Sequence, residues 1–119
     1  MEDRIRWIEH KGKQILFTDF SDLKGEECIN AVKEFEDFLA NQGNHELLIY
    51  VDARNCDLDD VGFNIGLKVA KMVKPYIKKE AIIGITKGKD TLITLVNVFS
   101  DIGIRPFDTM EEAIDWLVE

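Results

Sequence analysis

The chain is sparing with the residues that carry chemistry. Its 119 residues include two histidines, two cysteines and two prolines. His10 and His45 stand alone in turn-like contexts, so no Ser/His/Asp or Cys/His arrangement for nucleophilic catalysis is visible. Cys28 and Cys56 form no C-x-x-C, and nothing in their spacing demands a disulfide. No apolar run reaches the length that spans a bilayer, and no signal or transit pattern appears, so the cytoplasm is the expected location. Basic residues are in deficit: Lys plus Arg number 15 against 23 Asp plus Glu, a net charge of −8. That balance argues against general nucleic-acid binding, which depends on phosphate neutralisation. No repeat, low-complexity tract or linker divides the chain, and its length suits a single domain over residues 1–119.

What is present centres on one stretch. Leu47-Leu48-Ile49-Tyr50-Val51 is a continuous apolar run of strand length, suited to a sheet buried on both faces. It ends at Asp52, crosses an acidic loop through Asp57, Asp59 and Asp60, and enters a helical pattern near Val61. In open α/β sheets, ligands and partners meet the chain at the carboxyl ends of such strands.

The remaining elements follow from pattern and turn chemistry. Residues 5–9 and 14–18 flank Gly12, whose tolerance of positive φ predicts a β-hairpin. Ser21 or Asp22 suits the cap of a first helix with Cys28, Val32, Phe35 and Leu39 on one face. A second helix runs from about Asp60 to Lys74, with Phe63, Leu67, Ala70 and Val73 on its apolar face and Pro75 as its stop. Gly62, Gly66 and Ala70 recur every four residues, which predicts close approach of this helix to the sheet. Ala81 to Thr86 reads as the next buried strand. Asp90 or Thr91 then caps a helix carrying Leu92, Leu95, Val96 and Phe99, with strand as the alternative because of its β-branched content. Residues 104–107 form a short strand that Pro106 assigns to a sheet edge. Thr109 and Glu112 match a capping box before a last helix with Met110, Ala113, Ile114 and Leu117 inward and Trp116 off the apolar face. The order is an N-terminal hairpin followed by alternating β-α units, an α/β fold on a mixed, mostly parallel sheet.

Motifs for chemistry fail on inspection. Asp57-Leu58-Asp59-Asp60-Val61-Gly62 begins like a calcium loop, but its fifth position is Val61 and its twelfth is Lys68, so no metal site is expected. Gly84-Ile85-Thr86-Lys87-Gly88-Lys89-Asp90 has three residues rather than four between its glycines, and Asp90 replaces the magnesium-binding hydroxyl. It implies no nucleotide site and leaves Lys87 and Lys89 as weak anion-binding candidates. Aspartates around Cys56 would raise its thiol pKa rather than activate it. Charge is uneven: residues 61–89 hold seven lysines against Glu80, a local +6 that leaves −14 for the rest of the chain. This flank either meets an anionic partner or faces solvent and the protein's own acidic helices.

The strand Leu47–Asp52 with Asp59-Asp60-Val61-Gly62-Phe63, the segment Lys78-Lys79-x-Ala81-x-x-Gly84, and the tail Phe107-Asp108-Thr109-x-Glu111-Glu112-Ala113-x-x-Trp116-Leu117 resemble the SpoIIAA-like branch of STAS domains. That branch is similar in fold to the CRAL-TRIO lipid-exchange domains. The resemblance implies a (β-α)n superhelix and a non-enzymatic regulatory or binding role. In the family's anti-sigma-factor antagonists, a serine at the start of the second helix is phosphorylated. Asp60 and Val61 occupy the two serine positions here, so the phospho-switch is not expected.

Three readings follow. The first is a protein-interaction module that uses Asp57, Asp59, Asp60, Gly62, Phe63, Lys68 and Lys71. The second is a carrier or sensor of a small apolar or lipid-like ligand, its basic flank meeting anionic head groups. The third, an enzyme, finds least support, and no cofactor is implied. A protein partner, a homodimer or a small apolar ligand are the partners consistent with the sequence.

Overall fold

The sheet starts where Lys11 and Gly12 both take positive φ, 50° and 81°, the backbone that a two-residue hairpin turn needs. In the computed structural model, which describes residues 4–43, 46–56, 60–84, 101 and 103–119, this turn joins β1 (Ile5–His10) to β2 (Lys13–Asp19). The two strands are antiparallel, with Trp7 opposite Leu16 and Ile8 opposite Ile15. Helix α1 (Glu26–Ala40) leads to β3 (Leu47–Asp52). Helix α2 (Asp60–Val73) and a 3-10 turn (Lys74–Tyr76) lead to β4 (Ile77–Ile83), and β5 (Ile104–Phe107) precedes α3 (Met110–Leu117). The sheet order is β1-β2-β3-β4-β5, and every pair after the hairpin is parallel. The protein is an α/β fold on a five-stranded mixed sheet.

Both faces of that sheet are covered, which is why β3 is buried at all six positions. On one face Leu47, Ile49 and Val51 pack with Leu16, with Val32, Phe35 and Leu39 of α1, and with Val69 and Val73 of α2. On the other, Leu48 and Tyr50 meet Ile15, Phe17, Ala81 and Ile83, together with Ala113 and Leu117 of α3. Each such aliphatic side chain contributes about 1.5–3 kcal/mol when fully buried. Helices α1 and α2 therefore share one face, and α3 takes the other.

Local chemistry explains where the elements begin. Helix α1 buries Cys28, Ala31, Val32, Phe35 and Leu39, but it starts after Gly25, at φ 56°, without a side-chain cap. Ser21 and Asp22, predicted as caps, belong to the preceding turn instead. The Ser21 amide and hydroxyl both donate to Asp19 Oδ1, and Asp22 takes φ 62° while accepting a hydrogen bond from Asn55 Nδ2 at 3.1 Å. An Asx-type turn thus uses the groups that would have capped the helix.

Strand β4 also departs from expectation. It runs from Ile77 to Ile83, starting four residues before the predicted Ala81, directly after the turn that Pro75 initiates. Its charged start is accommodated because Lys79 Nζ donates to the carbonyls of Trp116 (3.0 Å) and Glu119 (3.3 Å) and lies 5.0 Å from the Trp116 ring. Thr86 and the helix predicted through Leu92, Leu95, Val96 and Phe99 lie outside the described residues. Pro106 sits in the edge strand β5, the place in a sheet that best tolerates a residue without an N–H. Thr109 caps α3: the Glu112 amide donates to Thr109 Oγ1 at 3.2 Å, and the Thr109 hydroxyl donates to Glu112 Oε1 at 3.0 Å. Met110, assigned to the apolar face, is exposed. Trp116 is half-buried against Phe107. Among the described residues, no helix is long and apolar enough to cross a membrane.

Candidate functional site

The carboxyl end of β3 is taken up by an ion pair. Asp52, 3 % exposed, accepts from Arg54 Nε at 3.0 Å, Nη2 at 2.7 Å and the Arg54 backbone amide at 3.0 Å. This fork-to-carboxylate geometry is the strong form of the contact. The hydrogen bond and charge of Asp52 hold the guanidinium above its ordinary pKa. Two residues before Asp52, the Tyr50 phenol is pushed up to about 12, first by burial and then by the Asp52 carboxylate. These groups tie the strand end together and offer no ionised nucleophile near neutrality.

Of the residues singled out after β3, the described ones divide between the interior and the solvent-exposed side of α2. Asp57 and Asp59 lie outside the described residues, as do Lys87 and Lys89. Asp60 is the first residue of α2, Gly62 is buried in its first turn, and Lys68 and Lys71 are exposed. Phe63 turns inward and packs with Leu67 and Ala70 against Ile82 and Ile104.

Phe63 instead borders a cavity of about 130 Å³ between α1, α2 and the sheet. Helix α2 contributes Phe63, Gly66, Leu67 and Ala70 to its wall, and α1 contributes Val32 and Phe35. The sheet supplies Val51, Glu80, Ile82 and Ile104. Gly66 explains part of the space. A Cβ built there meets nothing within 4 Å, so this glycine leaves a void rather than bringing helix against strand, as the four-residue spacing had suggested. The cavity also corrects the reading of the cysteines. Cys28 on α1 and Cys56 after β3 both line it and are joined as a disulfide across a separation of 28 residues. Cysteine spacing alone could not announce this, because the pairing depends on α1 and the β3–α2 loop meeting at one end of the sheet.

Glu80 is the residue that sequence reasoning missed. Strand alternation puts it on the helix side with Ile82, and its neighbours across the sheet are Ile49 and Ile104. It is 7 % exposed, and burial alone pushes its carboxyl up to about 7. Among the described residues nothing donates a hydrogen bond to it or pairs with its charge. An isolated buried carboxyl is costly, and folded proteins generally partner such groups. In the sequence it reads as the one acid of a basic flank. Only the strand frame, which sets it two residues from Ile82, marks it as inward.

Elsewhere, His10 is not alone. Its Nε2 lies 2.7 Å from Asp115 Oδ1, and Lys11 Nζ lies 3.3 Å from the same oxygen. His10 and then Lys11 hold the Asp115 carboxyl below its usual range. This contact staples the hairpin turn to α3 on the sheet face opposite the cavity. Among the described residues, no three His, Cys, Asp or Glu side chains come together as a metal site. No family model, curated protein or solved structure matches the chain.

Proposed function

We propose that this chain is a non-enzymatic binding module that takes a small, largely apolar molecule into the cavity between α1, α2 and the sheet. The observation that carries the reading is Glu80, a buried carboxyl without a partner among the described residues, set in an apolar wall. A ligand would supply the missing partner, and the wall would supply the affinity. Size narrows the class. An apolar cavity of about 150 Å³ admits benzene, so a space of about 130 Å³ suits a single ring or a short branched chain and not a lipid tail. The resemblance to the SpoIIAA-like branch of STAS domains supports a role without catalysis, and Asp60 and Val61 at its serine positions leave phosphorylation out of that role. The cytoplasm is the location proposed with it.

A second reading, contact with a protein partner through α2, is favoured by Val61 and Met72, which are 65 % and 53 % exposed on the helix that carries the exposed Lys68 and Lys71. Apolar residues beside charged ones are a common interface composition. The test is amide NMR of the protein titrated with toluene. Shifts concentrated at Val32, Leu67, Ala70 and Ile82 support the cavity. Absence of any shift there, with a copurifying protein mapping to Val61 and Met72, would replace it with the second reading.

A further inference from the structure

We propose that the cavity selects a small organic cation, a protonated amine on a compact apolar body, with its ammonium group against Glu80. The inference rests on the cavity being a ligand site and assigns the chemistry of what enters. Among the described residues the wall holds a single ionisable side chain, because Cys28 and Cys56 are joined and the other lining groups are aliphatic or aromatic. A ligand can therefore satisfy one polar group, and the remainder must be apolar. An anion would meet Glu80 as a like charge, and a hydrocarbon would leave the carboxyl unpaired.

Three further features favour a cation. Phe20, Phe35 and Phe63 line the cavity, and the faces of aromatic rings attract positive charge. The chain carries a net charge of −8, which draws cations toward it and repels anions. Nearby protein cations are already engaged: Arg54 is held by Asp52, and Lys79 reaches the α3 carbonyls on the opposite face.

Ionised Glu80 is the form that pairs with an ammonium, and burial sets its titration near pH 7. No charged or titratable side chain of α1, α2, β3 or β5 among the described residues lines the cavity to alter that titration. Cation binding should then strengthen with rising pH, whereas a neutral hydrogen-bond acceptor, which needs the protonated carboxyl, should weaken.

The experiment is calorimetric and NMR titration of the full chain with benzylamine, benzyl alcohol, benzoate and toluene at pH 6 and pH 8. Benzylamine stays protonated across this range. We expect it to bind about ten-fold or more tighter than benzyl alcohol at pH 8, to tighten by about ten-fold between pH 6 and pH 8, and benzoate not to bind. Glu80→Gln should bring benzylamine down to benzyl alcohol while toluene binding is kept, and Glu80→Asp should retain the amine preference in part. Toluene binding without any amine preference, or a preference that survives in Glu80→Gln, overturns the cation assignment and leaves the cavity reading standing. Tighter binding of benzyl alcohol at pH 6 than at pH 8, with benzylamine indifferent, overturns it in favour of a neutral acceptor. Failure of every probe, toluene included, overturns the cavity reading itself. The wild-type pH dependence decides the matter even where a Glu80 variant does not fold.

Discussion

Gly84 lies directly against the backbone of Arg54: a Cβ at Gly84 would sit 2.7 Å from the Arg54 Cα and closer still to its amide nitrogen. Gly84 also holds φ at 88°, a conformation that other L residues adopt only at a cost. The contact brings the end of β4 onto the turn after β3, the same turn that delivers Arg54 to Asp52. This glycine therefore serves packing, where its sequence context resembled the start of a phosphate loop.

Gly84→Ala should destabilise the protein by roughly 2–5 kcal/mol, combining the left-handed backbone with overpacking against Arg54. Urea denaturation of the two proteins measures it. An unchanged midpoint would mean that the Arg54 turn moves aside freely.

Gly66 makes the opposite case. It sits inside α2 with open space where a side chain would begin, so Gly66→Ala should stabilise by about 1 kcal/mol through helix propensity alone. A lowered midpoint would restore the close helix–sheet approach that the Gly62, Gly66, Ala70 spacing suggested.

Glu80 ties stability to pH. Its carboxyl titrates near 4.5 when unperturbed and about 7 in the fold, so between these values the native state holds a proton that the unfolded chain has released. Its stabilising contribution is complete below about pH 4.5 and is lost as pH rises through about 7. One pKa unit corresponds to about 1.4 kcal/mol, giving a total of about 3 kcal/mol. Asp115 acts with the opposite sign and lower down: its depressed carboxyl favours the fold above its ordinary value of 3.8 and ceases to do so in stronger acid. Denaturant midpoints from pH 4 to pH 8 should fall for the wild type and stay level for Glu80→Gln. Equal slopes in the two proteins would place the titration on another group.

The sequence was most legible where the cause of a structure is local. The unbroken run from Leu47 to Val51 can be satisfied only by burial on both faces, and Gly12, Pro106 and Thr109 each declare the backbone geometry they suit. The site was not legible because its causes lie far apart in the chain. Glu80 faces inward through its register with Ile49 and Ile104, while Lys78 and Lys79 beside it obscured the strand. The void over Gly66 exists because of what the neighbouring elements fail to fill. Cys56 meets Cys28 only after β3 has been laid beside β2.

Helix α3 has a consequence for the order in which the protein can be made. It is eight residues long, and Ala113 and Leu117 are its buried contribution to the face formed by Ile15, Phe17, Tyr50, Ala81 and Ile83. All five strands precede it. On the ribosome, a nascent chain that has not reached Met110 can assemble the whole sheet and still present that face, aromatic rings included, to water. Such a chain is a natural client for a chaperone until those few residues emerge.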